Sequence, residues 1–135
     1  MAYSVEDIEG IGPAFAKTLG EAGIKTTDDL LEHCGHAKGR ETLAGTTGIS
    51  EKLLLKWANM ADLMRISGVA GEYAELLEAA GVDTVKELKM RRPDNLTARM
   101  AEVNEAKKLT RRVPAESEVA RWIEQAALLE PKITH

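Results

Sequence analysis

The chain repeats itself at a spacing of 58 residues, and this repeat constrains the fold more than any other feature. Ile8–Leu30 aligns with Ile66–Leu88 without a gap. The identical pairs include Gly10/Gly68, Ala16/Ala74, Leu19/Leu77, Ala22/Ala80, Gly23/Gly81, Thr26/Thr84 and Leu30/Leu88. Because these identities fall on turn glycines and on apolar positions at helical spacing, the repeat predicts two copies of one helical unit.

Helix start and stop signals recur within each copy. Ser4–Asp7 and Thr26–Asp29 are capping boxes, and Thr84 with Glu87 repeats the second of them. Gly23 and its partner Gly81 lie where a left-handed residue ends a helix. No segment alternates between apolar and polar residues as a strand does. The sequence therefore predicts an all-α fold.

One long helix connects the two copies in this interpretation. Ser50 caps a helix from Glu51 to about Arg65, which runs directly into the second copy. We therefore predict two units, residues 1–65 and 66–135, that share this helix.

The later helices of the second copy are less regular. Pro93 interrupts the chain, and Asp94-Asn95 is expected to cap a helix that runs to about Arg111. A last helix, Glu116 to Leu129, carries Trp122 where the first copy has Trp57. The tail beyond it is expected to be frayed.

A tight hairpin is predicted at Gly10-Ile11-Gly12. The glycines permit backbone angles that are closed to other residues, and Pro13 suits the first position of a helix. Such a turn exposes amide groups at a helix N-terminus, where a phosphate oxygen can bind. It can equally be a structural turn without a ligand, and nearby Glu9 would repel phosphate.

Two resemblances follow from these residues. Gly10-Ile11-Gly12 resembles the hairpin of the helix-hairpin-helix motif, and Gly48-Ile49-Ser50 resembles the second hairpin of its paired version. The whole chain, including Trp57-x-Asn59-Met60-Ala61-Asp62-Leu63 and Val113-Pro114 before Trp122, resembles a bacterial family catalogued as a domain of unknown function. The implied fold is a tandem of two paired helix-hairpin-helix units, each a SAM-like small helical bundle, sharing the central helix.

The helix-hairpin-helix resemblance also implies a function, which is non-catalytic binding of duplex DNA through its backbone without sequence preference. The matching residues are Gly10, Ile11, Gly12, Lys17, Gly48, Ile49, Ser50, Lys52, Gly68, Val69 and Gly71. Ala70 replaces the second glycine of the third hairpin, and Pro114 removes an amide from the fourth. Two of the four hairpins therefore depart from the pattern.

Two basic clusters bear on the same function. Lys107, Lys108, Arg111 and Arg112 are expected to lie on one helical stripe that could contact a phosphate backbone, and Lys86, Lys89, Arg91 and Arg92 form a second cluster. The alternative is a solvated face paired with neighbouring glutamates. The formal net charge of −4 argues mildly against a dedicated nucleic-acid binder.

Other classes of protein find little support in the sequence. No catalytic triad, P-loop or dinucleotide-binding motif occurs, so we expect no enzyme, no cofactor and no small-molecule substrate. His33-Cys34-Gly35-His36 lacks the second ligand pair that a structural zinc site needs, so no metal is expected. Trp57, Trp122 and the methionines Met60, Met64, Met90 and Met100 are interpreted as core residues.

Cellular context and partners are predicted from what the sequence lacks. Cys34 is the only cysteine, so an intrachain disulfide is impossible. The chain has neither a signal-peptide pattern nor an apolar span, which predicts a cytoplasmic protein without membrane contact. Besides duplex DNA, the alternative partner is another protein or a second copy of the chain.

Overall fold

The computed structural model describes residues 2–134, and these residues form an all-helical fold. A short 3-10 turn, Val5–Asp7, comes first. Eight α-helices follow: α1 Pro13–Glu21, α2 Thr27–Cys34, α3 Ala37–Thr47, α4 Glu51–Leu63, α5 Gly71–Ala79, α6 Val85–Leu88, α7 Pro93–Lys107 and α8 Glu116–Leu128. None of the helices in this range is long and apolar enough to cross a membrane. The prediction of an all-α fold is confirmed.

Side-chain caps set several of the helix starts. The hydroxyl of Thr26 accepts a hydrogen bond from the Asp29 amide at 3.1 Å, and that of Thr84 accepts one from the Glu87 amide at 3.3 Å. Ser50 caps α4 by accepting from the amide of Leu53. The predicted caps of α2, α4 and α6 are therefore confirmed, because each hydroxyl satisfies an amide that has no partner within its helix.

The predicted bounds of α7 are wrong at both ends. The helix starts at Pro93 itself, with Arg92 as the preceding cap residue, because proline needs no amide partner in the first turn. It ends at Lys107, since Lys108 adopts the left-handed conformation at φ 52°. The side chain of Asn104 then holds the amide and carbonyl of Thr110, which turns the chain away from the helix axis.

The local backbone geometry recurs between the aligned segments. Gly10 and Gly68 have φ values of 96° and 93°, and Gly23 and Gly81 have values of 87° and 97°. Such angles strain any residue with a Cβ atom, so these four glycines are fixed by the turns. Equivalent residues thus bend the chain in the same way in both copies.

Each repeated turn packs against a tryptophan, and each tryptophan contacts an aromatic side chain of the helix that follows the turn. The ring of Trp57 meets that of Phe15 at a centroid distance of 5.0 Å. The ring of Trp122 meets that of Tyr73 at 5.5 Å. Both tryptophans are buried, which confirms their interpretation as core residues. The first pair is edge-on and the second is tilted, and both hold the helix that follows the turn against a tryptophan.

Helix α4 lies between the two halves and contacts α2, α3 and α5. Its last turn carries Asp62, a carboxylate with only 1% of its surface exposed. One oxygen of Asp62 accepts a hydrogen bond from the Arg65 guanidinium at 2.7 Å, and the other accepts from the amide of Val85 at 2.9 Å. Asp62 therefore joins the end of α4 to the start of α6.

Two expectations about peripheral residues are wrong. The segment after α8 is held in place: the Thr134 amide donates to the carbonyl of Gly35 at 2.7 Å, and the buried Arg40 guanidinium donates to the carbonyl of Thr134 at 2.8 Å. Ile133 enters the core beside them.

Met90 is 76% exposed, because α6 ends at Leu88 and the following turn points it away from the core. The other three methionines are buried as expected.

Replacing Asp62 with alanine should destabilise the fold by about 3 kcal/mol, because it leaves the buried Val85 amide without an acceptor and the half-buried Arg65 with only the carbonyl of Glu130. Urea denaturation of the purified chain measures this change. The Asp62→Asn variant keeps an acceptor for the Val85 amide and should lose less. A loss below about 1 kcal/mol for Asp62→Ala would contradict this role for the carboxylate.

Candidate nucleic-acid interface

The Gly10–Gly12 hairpin is anchored from within the core. The amide of Ile11 donates to the carbonyl of Ile8 at 3.1 Å, and both isoleucine side chains are buried. A Cβ atom on Gly10 would lie 3.6 Å from Nε1 of Trp57. The turn therefore accounts for a glycine at position 10, and core packing accounts for an isoleucine at position 11. Neither residue requires a ligand to explain its presence.

Gly12 has no such structural explanation. Its φ of −84° and ψ of −179° are extended backbone that any residue adopts. A Cβ atom there would meet no heavy atom within 4 Å, and the residue is exposed. No side chain among residues 2–134 caps the helix that starts after it. The start of α1 therefore leaves its first amides open to an approaching group.

Two lysines lie near this open helix start. Lys17 and Lys25 line a groove of about 310 Å³ together with Pro13, Ala16 and Glu6. Both lysines are exposed. The groove thus places positive charge beside the open amides, although Glu6 opposes it.

The Gly48–Ser50 hairpin offers less to a ligand. Gly48 ends α3 in the left-handed conformation at φ 78°, and Ile49 is buried. The hydroxyl of Ser50 already accepts the amide of Leu53 at 3.1 Å. Lys52 is exposed one residue into α4. At this helix start the protein's own side chain occupies the place that a phosphate oxygen would take.

The Gly68–Gly71 turn is covered by the first half of the chain. Gly71 is buried, and a Cβ atom on it would overlap the carbonyl oxygen of Asp7. Val69 is buried as well, whereas Gly68 is exposed. Gly71 is therefore required by the contact between the halves.

The surroundings of this turn are acidic. Glu9, Glu72 and Asp7 line the groove beside the start of α5. Burial, together with the nearby carboxylate of Glu9, raises the pKa of Glu75 in the same helix. Each of these carboxylates disfavours phosphate at α5.

The predicted stripe of Lys107, Lys108, Arg111 and Arg112 is not a helical stripe. Lys107 is the last residue of α7, and the other three lie at or beyond the left-handed Lys108. The guanidinium of Arg112 donates to both oxygens of Glu118, at 2.7 and 3.1 Å. These hydrogen bonds lower the pKa of Glu118 to about 2. Lys107, Lys108 and Arg111 remain exposed, so this region keeps a basic surface of a different shape.

The histidine and cysteine segment has structural roles. The Nδ1 atom of His36 accepts the Gly39 amide at 3.0 Å and thereby caps α3. Cys34 is fully buried, and burial raises the pKa of its thiol to about 11. Within residues 2–134, no group of three or more His, Cys, Asp or Glu side chains is arranged to hold a metal ion.

Residues 9–129 match the model of a protein family described as a domain of unknown function, DUF4332. The chain belongs to this family. The resemblance predicted from the sequence is thereby confirmed for the family. No curated protein and no solved structure matches the chain.

Reasoning from the sequence named Gly12, Gly71 and Arg112 but missed Lys25 and Glu118. The cover over Gly71 depends on a contact with the distant Asp7, and the Arg112–Glu118 pair spans the turn before α8. Only the glutamate had a local signal, because Glu118 lies three residues after Ala115 and accepts its amide at 3.1 Å, as in a capping box.

Replacing Glu75 with glutamine should stabilise the protein at pH 7. A raised pKa means that the folded state favours the neutral carboxyl, so the ionised form costs stability once the pH exceeds both the ordinary value of 4.5 and the raised value. Thermal melts of both proteins from pH 3.5 to pH 7 measure the effect. The advantage should vanish at the acidic end, where the native carboxyl is already neutral.

The matched control is Glu105→Gln, which removes the same charge from an exposed position on α7. It should not reproduce the pH-dependent gain. A Glu75→Gln variant that is less stable than the native chain at pH 7 would show that attraction to Lys56 and Lys107 outweighs burial.

Proposed function

We propose that the protein binds the backbone of duplex DNA at the Gly10–Gly12 hairpin, without sequence preference and without catalysis. The observation that carries this proposal is Gly12, an exposed glycine that neither backbone angle nor packing requires. A missing side chain at an uncapped helix start lets a phosphate oxygen approach the amides closely.

Charge beside the hairpin supports the same assignment. Lys17 lies one turn into α1, and Lys25 lines the same groove. Contacts from lysine to phosphate release counterions and add affinity without reading bases. Open amides together with two exposed lysines therefore suit a backbone contact.

The finer fold proposed is a tandem of two paired helix-hairpin-helix units. It is supported by the matching φ values at Gly10 and Gly68 and by the matching tryptophan contacts at both turns.

In this arrangement the first hairpin contacts DNA through open amides. The second is capped by Ser50, and the third is covered at Gly71. A single open hairpin implies a small footprint and weak binding that salt readily disrupts.

A second candidate function is a protein-interaction or self-association module. Leu128 at the end of α8 is 87% exposed and Met90 is 76% exposed. Exposed large apolar side chains are typical of contact surfaces when they belong to a wider patch. The acidic net charge also favours this candidate over DNA binding.

Fluorescence anisotropy with a short labelled duplex, at low and moderate salt, tests the DNA proposal. The native chain should bind at low salt and lose affinity steeply as salt increases. Lys17→Gln should reduce the slope of log affinity against log salt by about 1 if this lysine contacts one phosphate. Absence of binding at low salt would refute the proposal, and a mass that rises with concentration in light scattering would favour the second candidate.

Gly12→Asp provides the sharper variant. Aspartate is a good N-cap, so it should stabilise α1 by a few tenths of a kcal/mol while its carboxylate fills the phosphate position. DNA binding should then fall although the fold is intact. Ala98→Asp adds the same charge at an exposed position on α7 and should change binding little. Equal losses in the two variants would mean that only net charge matters.

A further inference from the structure

One buried polar side chain of α4 lacks a hydrogen bond. Asn59 is only 8% exposed, and no residue between 2 and 134 donates to its Oδ1 atom. A buried acceptor without a donor costs free energy, so a native structure that retains one calls for an explanation. The amide of Asn104, by contrast, uses both of its atoms, which bond to the backbone of Thr110.

Asn59 lines a groove of about 380 Å³ that lies between α4 and the end of α5. Residues of α4 recur in it at helical spacing and so share one face of that helix. The carboxylates come from α5 and from the loop that follows it. The other lining residues are Lys52, Leu55, Lys56, Glu78 and Asp83.

The charges in this groove are incompletely paired. Nζ of Lys56 lies 3.8 Å from the Glu78 carboxylate, which is longer than a typical hydrogen bond. Neither Lys52 nor Asp83 forms an ion pair within the described part of the chain. Burial raises the pKa of Glu78; Lys56 opposes this effect, whereas Asp83 and Glu75 add to it. The ionised carboxylate would therefore gain from a further cationic donor.

We propose that this groove binds a free α-amino acid in its zwitterionic form. The ammonium group of the ligand donates to Oδ1 of Asn59 and to the carboxylate of Glu78. The carboxylate of the ligand pairs with Lys52 and Lys56, and its side chain contacts Leu55. Because Oδ1 is covered in the free chain, entry of the ligand involves a small movement of the side chains around it.

Ligands that carry a single charge fit the groove less well. Glu78 and Asp83 would repel an anion, and Oδ1 of Asn59 offers it no hydrogen. A metal ion would meet two lysines, and no group of three His, Cys, Asp or Glu side chains among residues 2–134 is arranged to hold one. A simple amine would leave both lysines without a partner. A zwitterion satisfies both signs of charge and the unpaired acceptor.

Titration of the isotope-labelled full chain with L-leucine, followed by two-dimensional NMR, tests this site. Leucine is the probe because Leu55 lines the groove. It should shift the side-chain amide signals of Asn59 and the backbone amides of residues 52–59 and 78–83, with a Kd on the order of 1 mM. N-acetyl-L-leucine lacks the ammonium group and isoamylamine lacks the carboxylate, so each should bind about tenfold more weakly. Absence of shifts with L-leucine, or equal affinity for either derivative, would overturn the proposal.

Asn59→Leu separates a ligand-binding role from a structural one. It should weaken leucine binding about tenfold and yet raise the Tm, because it removes an unpaired buried acceptor. The matched control is Asn104→Leu, which breaks two hydrogen bonds and should lower the Tm without changing leucine binding. If Asn59→Leu also lowered the Tm, Oδ1 would have a structural partner such as an ordered water, and its assignment to a ligand would be wrong.

A charge variant checks the carboxylate of the groove. Glu78→Gln should weaken leucine binding severalfold, whereas Glu105→Gln removes the same charge from an exposed position on α7 and should have no effect. Gly12→Asp should also leave leucine binding unchanged, because this groove is separate from the DNA hairpin. An equal loss in Glu78→Gln and Glu105→Gln would reduce the effect to net charge and contradict the proposal.

Discussion

The structure depends on the junction at which α4 ends, directly before the second half of the chain. In the first half, the amide of Thr27 is held by the backbone carbonyl of Tyr3 at 2.9 Å. The equivalent amide in the second half is that of Val85. No extended segment lies beside it, because the residues that align with the segment around Tyr3 belong to α4. The carboxylate of Asp62 takes over this hydrogen bond, and Arg65 neutralises the charge that is buried as a result. One ion pair therefore joins the end of α4 to the start of α6. Arg65 also donates to the carbonyl of Glu130, so the same pair fixes the start of the segment that returns to the first half.

Repetition of the backbone does not imply repetition of surface chemistry. Gly12 and Ala70 occupy the same extended conformation, yet the first precedes an open helix start and the second precedes a helix start that is covered. The difference follows from the contact between the halves, which brings the carbonyl of Asp7 against Gly71 and needs a residue without Cβ there. One copy of the turn is thereby used for a contact within the chain, whereas Gly12 in the other copy stays exposed.

The fold was predictable from local signals, whereas the shape of the candidate surface was not. Capping by Thr26, Ser50 and Thr84 and the left-handed glycines act within a few residues, so a sequence pattern identifies them. The end of α7 was mispredicted because Asn104 bonds to the backbone of Thr110 six residues later, a contact that helical periodicity does not reveal. The ordered tail was missed because its partners, Gly35 and Arg40, lie about a hundred residues earlier in the chain. Which hairpin is open also depends on tertiary contacts, whereas the sequence distinguished the hairpins only by Ala70 and Pro114.

Electrostatics limits what the open hairpin can do. The charges near it are mixed, with Lys17 and Lys25 set against Glu6 and Glu9, and the whole chain is acidic. Screening at physiological salt acts over about 8 Å, so distant acidic residues matter less than the charges within one helical turn of the bound group. Local amides and lysines can therefore hold a phosphate on an acidic protein, but long-range attraction will not concentrate DNA around it. A DNA contact of this kind would therefore be local, weak and readily disrupted by salt.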